Sequence, residues 1–165
     1  LGGGYFDKPR MIQNSKKNIP SIMYAYGACP NYKNSKWETA AWCVKAFVNE
    51  SDGVLPWQSL GKGLSTPDKQ GNSLIVDAGS YGNAVASFRV HGFRRGAQDC
   101  ELLRLLRLTN GWSRQHMGLL ISQTVPLSAE DRQKCTDEAA AIKFGKMTSQ
   151  GFCEMKEGVL QLLAK

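Results

Sequence analysis

The sequence has only two histidines, His91 and His116, and no C-x-x-C pair among its five cysteines. The common zinc spacings are therefore missing, and an odd cysteine count without regular spacing argues against a disulfide framework. No apolar run approaches the roughly 18 residues of a membrane span. The opening Leu1-Gly2-Gly3-Gly4-Tyr5 has no basic stretch followed by an apolar one, so these residues contain no signal peptide. A start at Leu1 rather than Met fits a fragment or a processed product. Low-complexity tracts and internal periods are also missing, which sets aside disorder and solenoid architectures. Length excludes one more arrangement, because a complete (β/α)8 barrel takes about 250 residues and this chain has 165.

What is present is enough apolar material, 42% of the residues, for one core in a chain of ordinary domain size. The 21 Lys and Arg against 14 Asp and Glu give a net charge of +7. Such a surplus would suit nucleic acid or an anionic surface if it were grouped, but it is scattered. Lys8, Arg10, Lys16 and Lys17 form one local concentration and Arg89, Arg94 and Arg95 another. Neither is interleaved with the aromatics of an RNA-binding sheet, and scattered surplus charge serves solubility.

The run Ile19 to Gly27, apolar and aromatic and ended by glycine, predicts a buried strand. After a polar loop, Trp37, Ala40, Ala41, Val44, Phe47 and Val48 recur at helical spacing, with Glu38, Lys45 and Asn49 on the other side, which predicts an amphipathic helix. Val54 to Gln58 reads as a second strand, weakened by Pro56, which has no N–H for a ladder. Strand, helix and strand make one βαβ unit, with parallel strands whose C-terminal ends, at Tyr26-Gly27 and Trp57-Gln58, open onto the ligand-binding face. Residues 61–72 read as a loop, and Ser73 to Asp77 as a further short strand.

Phe88 to Leu108 carries the strongest helix signal, with Gly92 and Gly96 obscuring where it begins. Leu102, Leu103, Leu105 and Leu106 fall on one arc, and Glu101, Arg104 and Arg107 on the opposite one. Arg95 and Asp99, spaced i, i+4, project into the apolar arc. Burial of an unpaired charge is costly, so a mutual ion pair, or one with Arg89, is expected there. Asn110-Gly111 ends the helix. The stretch 112–126 is readable as strand or buried helix, Ser128 opens another helix, and Phe152, Met155, Val159, Leu162 and Leu163 form the stripe of a last one. Cys43 and Cys100 lie in helical patterns and read as buried thiols.

Candidate chemistry is sparse. Glu130-Asp131 and Asp137-Glu138 read as surface and capping charge on the helix after Ser128, and Asp77 before Ala-Gly as ordinary turn chemistry. Residues 61–66 lack the order of a phosphate loop. No carboxylate pair, metal set or cofactor motif emerges, so no catalytic residue, metal or cofactor is expected within the chain. Tyr24, Tyr26 and Trp57 differ, because aromatic faces near the open ends of parallel strands can stack on a pyranose ring while their hydroxyl and indole groups donate hydrogen bonds.

Three pieces between Tyr24 and Leu106 resemble the C-terminal region of domain-of-unknown-function family 4091, found in proteins like glycoside hydrolase family 123. Tyr24-Ala25-Tyr26-Gly27 and Asp52-Gly53-Val54-Leu55-Pro56-Trp57 look like the last two barrel strands. The run Ser87 to Leu103 is similar to the family's S-x-R, then R-x-G-x-x-D-x-E-x-L signature; Arg89, Arg95, Asp99 and Glu101 lie within it and are assigned to a structural charge network. The resemblance implies a (β/α)8 barrel acting on glycosides, with N-acetyl-β-galactosaminidase relatives in which the substrate's acetamide attacks, an Asp orients it and an adjacent Glu is acid and base. That Asp-Glu pair belongs to an earlier strand, upstream of the matched residues. An extracytoplasmic or secreted location is also what the resemblance implies.

The expected fold is thus α/β: an incomplete C-terminal portion of a (β/α)8 TIM-type barrel over residues 1–111, then a mainly helical C-terminal extension over residues 112–165. The expected role is part of a glycoside hydrolase-like protein acting on carbohydrate, possessing Trp57, Tyr26 and Tyr24 as substrate-binding residues. Its partners would be a carbohydrate substrate and the upstream part of the barrel, in the same protein or a partner chain, and no membrane. A noncatalytic carbohydrate-binding or scaffold module is the second reading, and a basic nucleic-acid-binding domain the third.

Overall fold

Every residue from Thr39 to Ala46 is buried, so the helix that contains them, Trp37–Val48 (α1), lies inside the fold rather than on it. The computed structural model describes residues 17–18, 20, 22, 24–28, 37–48, 51–57, 60–61, 75–77, 84–124 and 149–165. Before α1 comes the strand Tyr24–Ala28 (β1), and after it Gly53–Trp57 (β2). The two run parallel, in register from Tyr24↔Gly53 to Ala28↔Trp57, and α1 is the crossover that parallel strands require. Lys45, expected on a solvent face of α1, is 3% exposed. The correction follows from packing: α1 touches β2 and two later helices, so more than one of its faces is covered.

β1 begins later than the apolar run suggests. Asn18, at φ 54, lies in a turn, Pro20 and Ile22 carry no strand assignment, and Ile22 is 74% exposed. Beyond β2, a second sheet has the order Leu60–Gly61 (β3), Ile75–Asp77 (β4) and Ala84–Ala86 (β5). β3 and β4 are parallel, whereas β4 and β5 are antiparallel, with Asp77 opposite Ala84. The strands of a (β/α)8 barrel are all parallel, so the β4–β5 pair lies outside that pattern. The chain is of mixed α/β class with helices predominating.

Phe88–Asn110 (α2) is capped at both ends by its own sequence. Ser87, in extended conformation, accepts a hydrogen bond on Oγ from the Arg89 N–H at 3.3 Å. Gly111 takes the left-handed conformation at φ 66 and donates its N–H to the Arg107 carbonyl, an arrangement glycine adopts without a Cβ penalty. Gly92 and Gly96 both fall inside the helix. Residues 112–126, open between strand and helix in the sequence, contain Arg114–Thr124 (α3), begun where Ser113 Oγ accepts from the His116 N–H at 3.1 Å. The helix expected from Ser128 lies outside the described residues. The last element is Ser149–Leu163 (α4).

The core is helical. Ala40, Ala41 and Val44 of α1 meet Leu103 and Leu106 of α2, Met117 and Ile121 of α3, and Phe152, Met155 and Val159 of α4. Phe152 is fully buried and its ring lies 5.5 Å from that of Trp37; full burial of one such side chain stabilises by roughly 1.5–3 kcal/mol. Leu105 departs from the apolar arc predicted for it, being 51% exposed, because α1 meets α2 along the line of Gly96, Leu103 and Leu106 and Leu105 lies to one side. Among the described residues no helix is long and apolar enough to cross a membrane.

Candidate functional site

The parallel register decides where each aromatic of the β1–β2 pair stands. Trp57 is the last residue of β2 and pairs with Ala28, the last of β1, so it occupies the C-terminal end of the sheet. Tyr26 pairs with Leu55, two residues short of that end. Tyr24 is at the other end: it is the first residue of β1, is 54% exposed, and pairs with Gly53. Its ring covers Gly53 so closely that a Cβ there would stand 2.9 Å from Tyr24 Cε1. Four residues of strand, about 13 Å, separate Tyr24 from the Ala28–Trp57 end.

The four charges of the signature run also separate. Arg95 and Asp99 come together as an i, i+4 pair in which Arg95 Nε donates to both carboxylate oxygens, at 2.8 and 3.1 Å. The Asp99 side chain is 3% exposed and that of Arg95 34%, so the carboxylate is buried and the guanidinium reaches the surface. Glu101 is not part of this pair. It is 71% exposed and accepts from Arg104 Nη1 at 3.2 Å, on the opposite side of the helix. Arg89 is 2% exposed and lies ten residues before Asp99, about 15 Å along the helix axis, too far to share its carboxylate. Arg95 with Asp99 thus forms a buried pair and Glu101 with Arg104 an exposed one, while Arg89 is buried nearer the start of the helix.

The buried carboxylate acts on two neighbouring thiols. Burial pushes the Cys43 thiol up to about 12, and the negative charge of Asp99 adds to the shift. Burial likewise raises Cys100 well above the usual thiol range, with Cys43 and Asp99 contributing. Both thiols are held protonated and are poor nucleophiles. Arg95 and Asp99 also border a shallow groove of about 790 Å³ between α2 and α4, whose other lining includes Leu102, Leu105, Leu108 and Lys156. Among the described residues no group of three or more His, Cys, Asp or Glu could hold a metal ion.

One arginine of consequence has no signal in the sequence pattern. Arg114, in the first turn of α3, reaches back 63 residues to donate from Nη1 to the Ser51 carbonyl at 2.8 Å. Its Nη2 is 3.8 Å from the Asp52 carboxylate and its guanidinium lies 4.9 Å from the centre of the Phe47 ring. No local periodicity reports a contact of that range. No protein-family model, no curated protein and no solved structure matches the chain.

Proposed function

We propose that this chain is part of a glycoside hydrolase-like protein acting on carbohydrate, with an N-acetylhexosaminide as the substrate class and the catalytic acids outside these residues. The observation that supports the reading is the parallel β1–α1–β2 unit with Trp57 at its C-terminal end. Folds built from such units bind ligands at the C-terminal ends of their strands, and an indole there suits the apolar face of a sugar ring. Tyr26 stands next in line along β1, while Tyr24, at the far end, has no part in the subsite. In this reading β1 and β2 are the last two strands of a (β/α)8 barrel completed by other residues of the same protein or by a partner chain. The resemblance of residues 87–103 to the family 4091 signature supports it too.

Titration of the chain with N-acetylgalactosamine tests the reading through tryptophan fluorescence. Saturable quenching that disappears in Trp57→Ala is the expected result. No response in the parent chain, or the same response in Trp57→Ala, rejects Trp57 as a sugar contact. Turnover of an aryl N-acetyl-β-galactosaminide by these residues alone would reject the placing of the acids outside them.

A further inference from the structure

The geometry points to Arg114 as a positioning residue for the Trp57 end of β2, a role that rests on the sugar-binding reading above. The turn Ser51-Asp52 joins the end of α1 to the start of β2, and Arg114 takes hold of it at two points, the Ser51 carbonyl and the Asp52 carboxylate, while its guanidinium lies on the ring of Phe47 in the last turn of α1. The same turn is tied to α1 by the Ser51 N–H, which donates to the Ala46 carbonyl at 2.9 Å. Arg114 itself is firmly based. Ser113 caps α3, the Trp112 ring stacks on His116 with centroids 4.5 Å apart, and Arg107 of α2 donates from Nε to the Trp112 carbonyl at 3.2 Å. A continuous line of contacts thus runs from the end of α2, through the corner at residues 111–113, to the Ser51-Asp52 turn that leads into β2.

β2 needs such a hold. It is five residues long, pairs with β1 along one edge, and includes Pro56, which has no N–H to give a ladder. A strand this short moves as one piece, so its N-terminal anchor fixes the height of Trp57 at its other end, about 16 Å away. A guanidinium suits the task because its planar donors meet a carbonyl and a carboxylate together while its face lies on an aromatic ring. Arg114 touches no sugar in this scheme; it acts through the strand.

The test uses the chain labelled with 5-fluorotryptophan, whose four indoles give fluorine resonances assigned by single Trp→Phe changes. Arg114→Met removes the clamp, and the milder Arg114→Lys keeps a cation and one donor for the Ser51 carbonyl. The expected result is a shifted and broadened Trp57 resonance with that of core Trp42 unmoved, and affinity for N-acetylgalactosamine reduced on the order of tenfold in Arg114→Met and less in Arg114→Lys. If Arg114→Met does not fold, Arg114→Lys decides alone. A folded variant whose Trp57 resonance stays at the parent position overturns the clamp. Failure of the sugar-binding reading looks different: sugar then leaves the parent Trp57 resonance untouched, whatever Arg114 does to it.

Discussion

Gly96 of α2 rests on the backbone of Ala40 in α1: a Cβ built on Gly96 would stand 2.7 Å from the Ala40 carbonyl oxygen and 2.9 Å from its Cα. The third contact is Cys43 Cβ at 2.8 Å, and all three atoms are main chain or fixed directly to it, so neither helix can yield by turning a side chain. This is the point at which α2 meets the crossover helix, and it accounts for a glycine in a helix interior, where glycine costs about 1 kcal/mol against alanine.

Gly96→Ala is expected to lower stability by about 1–3 kcal/mol, the range for overpacking a filled core, despite the gain in helix propensity. Gly158→Ala is the control. It too lies within a helix, but a Cβ there meets nothing within 4 Å, so stability should rise by about 0.5–1 kcal/mol. Urea denaturation of both variants checks the pair; equal effects would show that the Ala40 contact does not limit Gly96.

Breaking the Arg95–Asp99 pair and breaking the Glu101–Arg104 pair should differ sharply. Asp99 is buried and bonded twice by Arg95 Nε, so Arg95→Met leaves a buried carboxylate with its donor removed and is expected to cost about 1–3 kcal/mol. Glu101→Ala breaks a pair exposed on both sides and should change stability by less than about 0.5 kcal/mol. A double-mutant cycle on each pair measures the difference, with coupling expected for 95–99 and almost none for 101–104.

Thiol chemistry follows burial. At pH 8, Cys43, which is buried, should resist iodoacetamide while exposed Cys153 reacts, as read by peptide mass mapping. The Cys43 thiol is pushed up to about 12 in the folded chain from about 8.5 when unfolded. Between those values the folded state holds a proton that the unfolded state has lost, so stability falls as pH rises. The stability contributed is fully present below about pH 8.5 and lost progressively toward pH 12. Denaturation series at pH 8, 9.5 and 10.5 should show a shallower decline for Cys43→Ala than for the parent.

Thr39 is 1% exposed and its hydroxyl has no hydrogen-bond partner among the described residues. Thr39→Val keeps the shape and removes a buried, unpaired polar group, which is expected to raise stability by about 1 kcal/mol. A fall in the denaturation midpoint would mean that the hydroxyl has a partner.

The βαβ unit and α2 were legible because each is announced locally. Trp37 to Val48 repeats its apolar residues every three to four positions, and Asn110-Gly111 marks the end of α2, whereas its start at Phe88, capped by Ser87, was obscured by Gly92 and Gly96. The i, i+4 spacing likewise foretells the Arg95–Asp99 pair. Lys45 was misplaced because periodicity describes one favoured face of a helix and is silent on how many neighbours enclose it. The start of β1 was less legible, because an apolar run does not mark where ladder pairing begins, and the strand spans Tyr24–Ala28. For 112–126, strand and buried helix share the same apolar content, and the Ser113 cap with Met117 and Ile121 buried one turn apart selects helix.

The sequence by itself determined the elements whose causes lie within a few residues: the α1 stripe, the glycine stop of α2, the apolar stripe of α4, and the charge pair one helical turn long. The tertiary structure alone decided what depends on distant chain segments. Gly96 against Ala40, Arg114 on Ser51 and the burial of Lys45 all depend on segments far apart in the chain that packing brings together. Local propensity extends over one turn or one strand, whereas close packing in the core selects which segments meet.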